Sequence, residues 1–285
     1  MEKIDLHMHS TVSDGTDTPQ ELLRRVREAG IRLFALTDHD ALKGCAMIRK
    51  VRSAGDPRLL NGVEFSCQDE QGKYHILGYH YDLDSAPIND VVELGHGYRM
   101  EKVHFRLQFL KDRFGFTFAE EDVQALLALD NPGKPHIGNL MVRYGYAPSK
   151  EVAIKDYISQ ADFLDRHVRP EEAIQGILGS GGIPVLAHPA YGSGDELIVG
   201  EQMDRRLRRL TGFGLQGVEA FYSAFTPKLV KETLSFAETY GLYVTAGSDY
   251  HGENKMIALG RTNPDDTEAI LEGMKRFLAA VREDR

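Results

Sequence analysis

The chain has 285 residues, 42% hydrophobic and 27% charged, which suits one large globular domain or two smaller ones. Its formal net charge of −9 argues against broad contact with a phosphate backbone but leaves room for a local positive site. The two cysteines, Cys45 and Cys67, make no disulfide framework, no apolar run approaches a membrane span, and a first strand near residue 3 leaves no room for a leader, so a cytoplasmic protein is expected.

The stretch "KIDLHMHS" reads as the first strand. Residues two apart on a strand face the same side, so His7 and His9 share one face and could hold a divalent ion. "TDTPQELLRRVREAG" carries helix marks: a Thr cap, Pro19 in the first turn, the apolar stripe Leu22, Leu23 and Val26, and Gly30 as a stop. "IRLFALTDHD" reads as strand two, "ALKGCAMIRKVRSAG" as a helix and "LLNGVEFSCQ" as strand three. "DEQGK" forms a hairpin turn into "KYHILGYHYD", strand four. Residues 91–169 contain no convincing strand and read as short helices broken at Pro and Gly. Alternation resumes with the helix "RPEEAIQGILGSGG" and strand five, "IPVLAHP". Strand six is "GLQGVEAFY", followed by the helix "TPKLVKETLSFAETYG". "YVTAGSDYH" is strand seven, and "DDTEAILEGMKRFLAAVRED" closes the chain as a helix. Seven strands mostly separated by helices predict a parallel α/β barrel from residues 1–90 and 170–285, with a helical insertion at 91–169.

Barrel strands present chemistry at their C-terminal ends. His7, His9, His39, Glu64, His188, Asp249 and His251 fall at or near such ends, Asp14 follows strand one, and His75 lies within strand four. Six histidines and three carboxylates converging without counter-charge would be costly, and divalent cations supply that counter-charge. His80, five residues after His75, faces away on a regular strand and reads as structural. His96, His104 and His167 read as solvated helix-surface residues. Asp38 and Asp40 flank His39 and either orient its ring or cap the helix at Ala41. Tyr222 and Tyr250 line a pocket or simply pack.

In order, "DLHMHSTVSDG", "ALTDHD", "GVEFS", the strand-four histidine, "AHP" and "GSDYHG" resemble the blocks of the polymerase and histidinol phosphatase (PHP) family. The resemblance spans about 1–85 and 170–260. It implies a distorted (β/α)7 barrel and a metal-dependent phosphoesterase. It also implies three ions: one on His7, His9, Glu64 and Asp249, one on Glu64, His75 and His188, and one on Asp14, His39 and His251. The mixed nitrogen and oxygen donors suit two to three Mn²⁺, Zn²⁺ or Fe²⁺ ions. Three dications less the carboxylates and one hydroxide leave a charge of about +2 at the mouth, matched to a phosphomonoester dianion. Hydroxide held by the ions would attack phosphorus, with Glu64, Asp249 and His188 at the reacting centre.

The helical insertion further resembles the subgroup acting on nucleoside monophosphates, 3′,5′-bisphosphates and RNA 5′ ends. Its "GKPHIGN" resembles an "RPH" block, so Lys134 and His136 would face substrate phosphate, with Lys losing the bidentate fork of Arg. The stretch "FYSAFTP", with Ala224 and Phe225, departs from a "YSxxH" pattern common in relatives and puts substrate preference in doubt. The expected partner is a small phosphorylated, nucleotide-like substrate. The alternatives are a 5′→3′ exoribonuclease on short RNA, a histidinol-phosphate-type phosphatase, or a non-catalytic metal-binding domain.

Overall fold

Seven strands follow one another across a single sheet in chain order. They are β1 (Ile4–Asp5), β2 (Leu33–Leu36), β3 (Arg58–Asp69), β4 (Gly72–Tyr79), β5 (Ile183–Leu186), β6 (Gly217–Tyr222) and β7 (Tyr243–Gly247). The computed structural model describes residues 3–129, 132–163, 166–192, 196–262 and 271–282. The chain divides into two compact units, Met1–Val92 with Val168–Arg285, and Glu93–His167.

The first unit is a nearly closed seven-stranded α/β barrel. The chain after β1 meets the chain around β7: Leu6 N donates to Ala246 O (3.0 Å), Asp249 N to His7 O (2.8 Å) and His9 N to Tyr250 O (2.8 Å). The expectation of a parallel barrel is corrected at one strand. β4 runs antiparallel to both β3 and β5, while the other neighbours are parallel. The reason is local. A parallel pair needs a crossover of a dozen or more residues, and only Glu70 and Gln71 separate β3 from β4. Gly72, at φ 137°, closes that tight turn. The reversal puts the start of β4 beside the end of β3, with His75 opposite Ser66.

The helix Pro19–Glu28 begins at a capping box: Glu21 N donates to Thr18 Oγ1 (3.3 Å) and Thr18 N to Glu21 Oε2 (2.8 Å). Its stripe of Leu22, Leu23 and Val26 joins Met8, Phe34, Leu36 and Ile48 in one buried cluster. Each such side chain contributes about 1.5–3 kcal/mol when removed from water. Met8 belongs to that helix-facing layer, which turns its neighbours His7 and His9 the other way. A larger core joins β3 to β7 with the helices Pro170–Gly179, Gly200–Gly212, Pro227–Thr239 and Leu271–Ala280.

The helix Gly200–Gly212 is not among those expected from sequence. Val199 at its start offers no side-chain cap, and only Met203, Leu207 and Leu210 are buried along it. The first part of the expected closing helix, residues 265–270, lies outside the described residues. No helix among the described residues is long and apolar enough to cross a membrane.

The second unit is helical. It comprises most of Ala86–Phe114, then Glu120–Leu127, Lys134–Arg143 and Lys150–Val152, the last continuing into short turns to Gln160. Its core holds Val103, Leu110, Leu126, Ile137, Leu140, Met141, Ala153 and Ile158.

Candidate metal centre

Two strands, β3 and β4, and the segments that follow β1, β2, β5 and β7 deliver nitrogen and oxygen donors to one place in the barrel unit. Regular β1 pairing stops at Asp5, but Met8 still bridges Tyr250, which keeps His7 and His9 extended; both are fully buried. His39, beyond β2, bridges Glu64 of β3. Glu64 sits at the middle of the cluster. Its Oε2 lies 3.2 Å from His7 Nε2, 3.1 Å from His9 Nε2 and 3.4 Å from His39 Nδ1. Its Oε1 lies 2.9 Å from His75 Nδ1 and 3.2 Å from His188 Nε2.

Asp249 Oδ1 is 3.5 Å from His7 Nε2, 3.4 Å from His9 Nε2 and 3.3 Å from His251 Nδ1. Its Oδ2 accepts from Tyr222 (2.8 Å) and Lys255 (2.6 Å). Asp14 is the outer member, 3.3 Å from His251 Nε2, 3.6 Å from His9 Nδ1 and 3.9 Å from His39 Nε2. His188 (φ 27°) and Asp249 (φ 58°) hold left-handed backbone conformations, strain of a kind concentrated at functional sites.

Among the described residues, three groups could hold a metal ion, with donor atoms all within 4.8 Å of one another in each: His7, His9, Glu64 and Asp249; His9, Asp14, His39 and His251; and His39, Glu64 and His75. His188 joins through its contact with Glu64 Oε1. One atom tests the fit. His9 Nε2 is buried and, despite the two nearby carboxylates, aligned for a hydrogen bond with neither. A buried nitrogen left unpaired is costly, and a lone pair aimed between two carboxylates is what a cation takes.

The charges are mutually dependent. Burial opposes ionisation of Glu64, yet the neighbouring His7, His39 and His75 hold its carboxyl well below the usual range. Burial likewise opposes a charged His9, but Asp249 and Glu64 outweigh it and push the imidazole up to about 9. For His39 burial wins and pulls the ring down to about 3.

Residues 5–168 match the family model described as PHP domain. The chain belongs to the PHP domain family. A PHP relative in Eggerthella lenta, phosphoribosyl 1,2-cyclic phosphate 1,2-diphosphodiesterase, is 29% identical, covering 87% of this chain and 94% of its own. The 5′-3′ exoribonuclease of Haemophilus influenzae is 26% identical over 96% of this chain and 99% of its own. The 3′,5′-nucleoside bisphosphate phosphatase of Chromobacterium violaceum is 28% identical over 88% of each. A solved structure described as a metal-dependent phosphoesterase, from Bifidobacterium adolescentis, superposes with a TM-score of 0.75 at 26% identity, covering 98% of this chain and 96% of that one. This PHP chain is a metal-dependent phosphoesterase, a hydrolase of phosphoric esters.

Two residues of the PHP site escape the sequence reading. Glu219, buried in β6, accepts from His7 Nδ1 (2.9 Å) and His188 N (2.9 Å). A register shift between Glu219 and Phe221 re-aims the strand there. Gly247 leaves the room: a Cβ would meet His7 Cβ at 2.2 Å and Glu219 Oε1 at 2.4 Å. An acid inside the apolar run "GVEAFY" is the one signal that pointed to it. Lys255 carried no signal.

The remaining residues sort plainly. Asp38 holds Ser10 (N, 2.7 Å; Oγ, 2.8 Å) and Ser13 (Oγ, 2.9 Å) in the loop beside His9, and Asp40 accepts from Ser66 N (2.9 Å). Tyr250 bonds Asp17 (2.7 Å). Phe225 is buried against Tyr191 and Tyr222, so the departure at "FYSAFTP" is a packed aromatic corner. His80, His96, His104 and His167 join none of the three groups. In the helical unit, Lys134 Nζ donates to Ser159 Oγ (3.1 Å) and exposed His136 accepts from Gly133 N (3.2 Å) at its helix start.

Proposed function

We propose that the chain hydrolyses phosphomonoesters of nucleotide type, using two to three Mn²⁺, Zn²⁺ or Fe²⁺ ions held by the nine side chains named from sequence. The observation that carries the reading is sharing: each pair of donor groups has one residue in common, His9, Glu64 or His39. Donor groups fused in this way suit a multinuclear centre rather than three separate ones. The first ion would take His7, His9, Glu64 and Asp249. The second would take Glu64, His75 and His188, and the third Asp14, His39 and His251. Bound divalent ions supply an activated water and positive charge against the phosphoryl oxygens.

The protein's part is orientation. With its Nδ1–H donated to Glu219, His7 keeps the Nε2 lone pair toward Glu64. His251 donates Nδ1–H to Asp249 O (2.9 Å), which turns its Nε2 lone pair toward Asp14. Tyr222 holds Asp249 by one oxygen and leaves the other with the histidines. Glu64, Asp249 and His188 would meet the phosphoryl group. Residues 91–169 would act as a substrate-selecting lid, with Lys134 and His136 gripping phosphate. Two buried free thiols are in keeping with a reducing, cytoplasmic setting.

The test is phosphate release by Mn²⁺-loaded protein from AMP, adenosine 3′,5′-bisphosphate, histidinol phosphate and a 5′-phosphorylated RNA oligomer. Fastest turnover is expected on the two adenosine nucleotides. Stepwise release of nucleotides from the RNA end would move the function to the exoribonuclease reading, which the Haemophilus influenzae relative favours. Silence on all four would end the phosphomonoesterase and exoribonuclease readings and point to another phosphoric ester, such as the cyclic phosphate for which the Eggerthella lenta relative is named. Lys134→Ala and His136→Ala should lower nucleotide turnover far more than p-nitrophenyl phosphate turnover, with metal content unchanged. An equal fall on both substrates would make the helical unit part of the catalytic machinery.

A further inference from the structure

Lys255 ends the short turn Gly252–Asn254 that follows β7. Its Nζ lies 2.6 Å from Asp249 Oδ2, and its side chain is 38% exposed. The same oxygen accepts from Tyr222, while Asp249 Oδ1 faces His7 and His9. A lysine side chain therefore stands one carboxylate away from atoms that would hold a metal ion.

That placement is unfavourable in a site whose occupants are cations. Asp249 has one negative charge, and an ion drawing on Oδ1 leaves less of it for the ammonium on Oδ2. Like charges this close repel strongly wherever water is partly excluded. A neutral donor such as glutamine could bond Oδ2 beside Tyr222 without that repulsion. A lysine becomes favourable there when an anion bridges it and the ions. The ammonium has three donors, of which Asp249 takes one, and its partial exposure leaves it open to an incoming ligand.

We propose that Lys255 is a substrate contact, donating to a non-bridging oxygen of the phosphoryl group that is hydrolysed. The inference rests on the phosphomonoesterase reading above. In the reaction, the oxygen of water joins phosphorus, the ester P–O bond breaks, and the ester oxygen leaves as an alcohol with a proton from that water. Lys255 enters as a charge. A monoester dianion gains about twice the Coulomb attraction that a diester monoanion gains from it. Lys255 thus biases the site toward monoesters.

The experiment uses Lys255→Met, which keeps an unbranched stem without charge, and Lys255→Arg, which keeps the charge. Each protein is loaded with Mn²⁺, its metal content measured, and inorganic phosphate titrated calorimetrically. Values of kcat/KM are taken on p-nitrophenyl phosphate and bis-p-nitrophenyl phosphate. Lys255→Met should keep its Mn²⁺, bind phosphate about tenfold or more weakly, and lose monoester turnover by a similar factor, with the diester less affected. Lys255→Arg should recover part of the loss. Lower Mn²⁺ content with equal loss on both substrates would make Lys255 a positioning residue for Asp249 and overturn the proposal. Unchanged phosphate affinity would reduce it to a surface ion pair and overturn it as well. Wild-type protein that binds phosphate but hydrolyses no monoester would sink the phosphomonoesterase reading alone, and calorimetry would still decide the contact.

Discussion

The inner and outer halves of the donor cluster are built differently. His7, His9, Glu64 and Asp249 are all buried and are placed by chain running on from β1 and β7 and by the middle of β3. Asp14, by contrast, has a side chain 52% exposed and rides a loop. That loop is tied to the one after β7 by side-chain and backbone bonds: Asn254 Nδ2 to Asp14 O (2.7 Å), Glu253 N to Thr16 Oγ1 (2.9 Å) and Thr16 N to His251 O (3.2 Å). Burial tends to raise the Asp14 carboxyl, but a hydrogen bond with His251 and the neighbouring imidazoles of His39 and His9 hold it below the usual carboxylate range. The difference teaches where ions are obligatory. Buried ionisable groups have no solvent to fall back on, so the inner group needs an ion for balance. Water can serve Asp14 in an ion's place, so the outer ion should exchange more readily.

The largest break in this comparison should come from Glu64→Gln, since Glu64 faces five imidazoles with its two oxygens. An amide carries no charge and bridges two cations poorly. Turnover with Mn²⁺ should fall about a hundredfold or more, with a drop in bound metal by elemental analysis. Activity within a few-fold of wild type would end the bridging assignment.

Next comes the support behind the inner group. Glu219→Ala frees the His7 ring, and Gly247→Ala pushes a methyl into the gap between His7 and Glu219. Either should weaken metal affinity by about 10–100-fold, measured by competition with a chelator. Equal affinity in both variants would show that His7 needs no orienting partner.

Asp14→Asn sharpens the contrast. Dialysis should strip about one ion equivalent from this variant while the inner ions stay, with activity down about tenfold. Loss of every ion at once would mean that the two halves form one cooperative unit.

The smallest effect is expected from His80→Ala. His80 is buried just beyond β4, with its N–H donated to Asn61 O (3.0 Å), and lies outside all three donor groups. Turnover should stay within about twofold, while the melting temperature drops by a few degrees. A large fall in turnover at unchanged stability would assign the ring a chemical role.

Much of this architecture was legible in the chain itself, and for a local reason. Alternation of apolar and polar residues, caps such as Thr18 with Glu21, and breakers such as Gly30 are relations among near neighbours. They located the seven strands and the helical stretch, and they set nine candidate donors within or just beyond those strands. The hairpin at "DEQGK" even contained the reversal of β4, although strand–helix alternation elsewhere suggested a parallel barrel. The helix Gly200–Gly212 was less legible because its start lacks a side-chain cap and its charged residues outnumber the apolar ones that anchor it.

Only the tertiary structure decided the rest. His7 and Glu219 are 212 residues apart, and nothing in either neighbourhood encodes their pairing. The sharing of His9, His39 and Glu64 between donor groups, the room left by Gly247 and the grip of Lys255 on Asp249 depend on several chain segments meeting within a few ångströms. Residue type and spacing determine what a strand end can offer. Which offers meet, and what charge balances them, is set by barrel closure, because that alone brings distant carboxylates and imidazoles into one water-poor space.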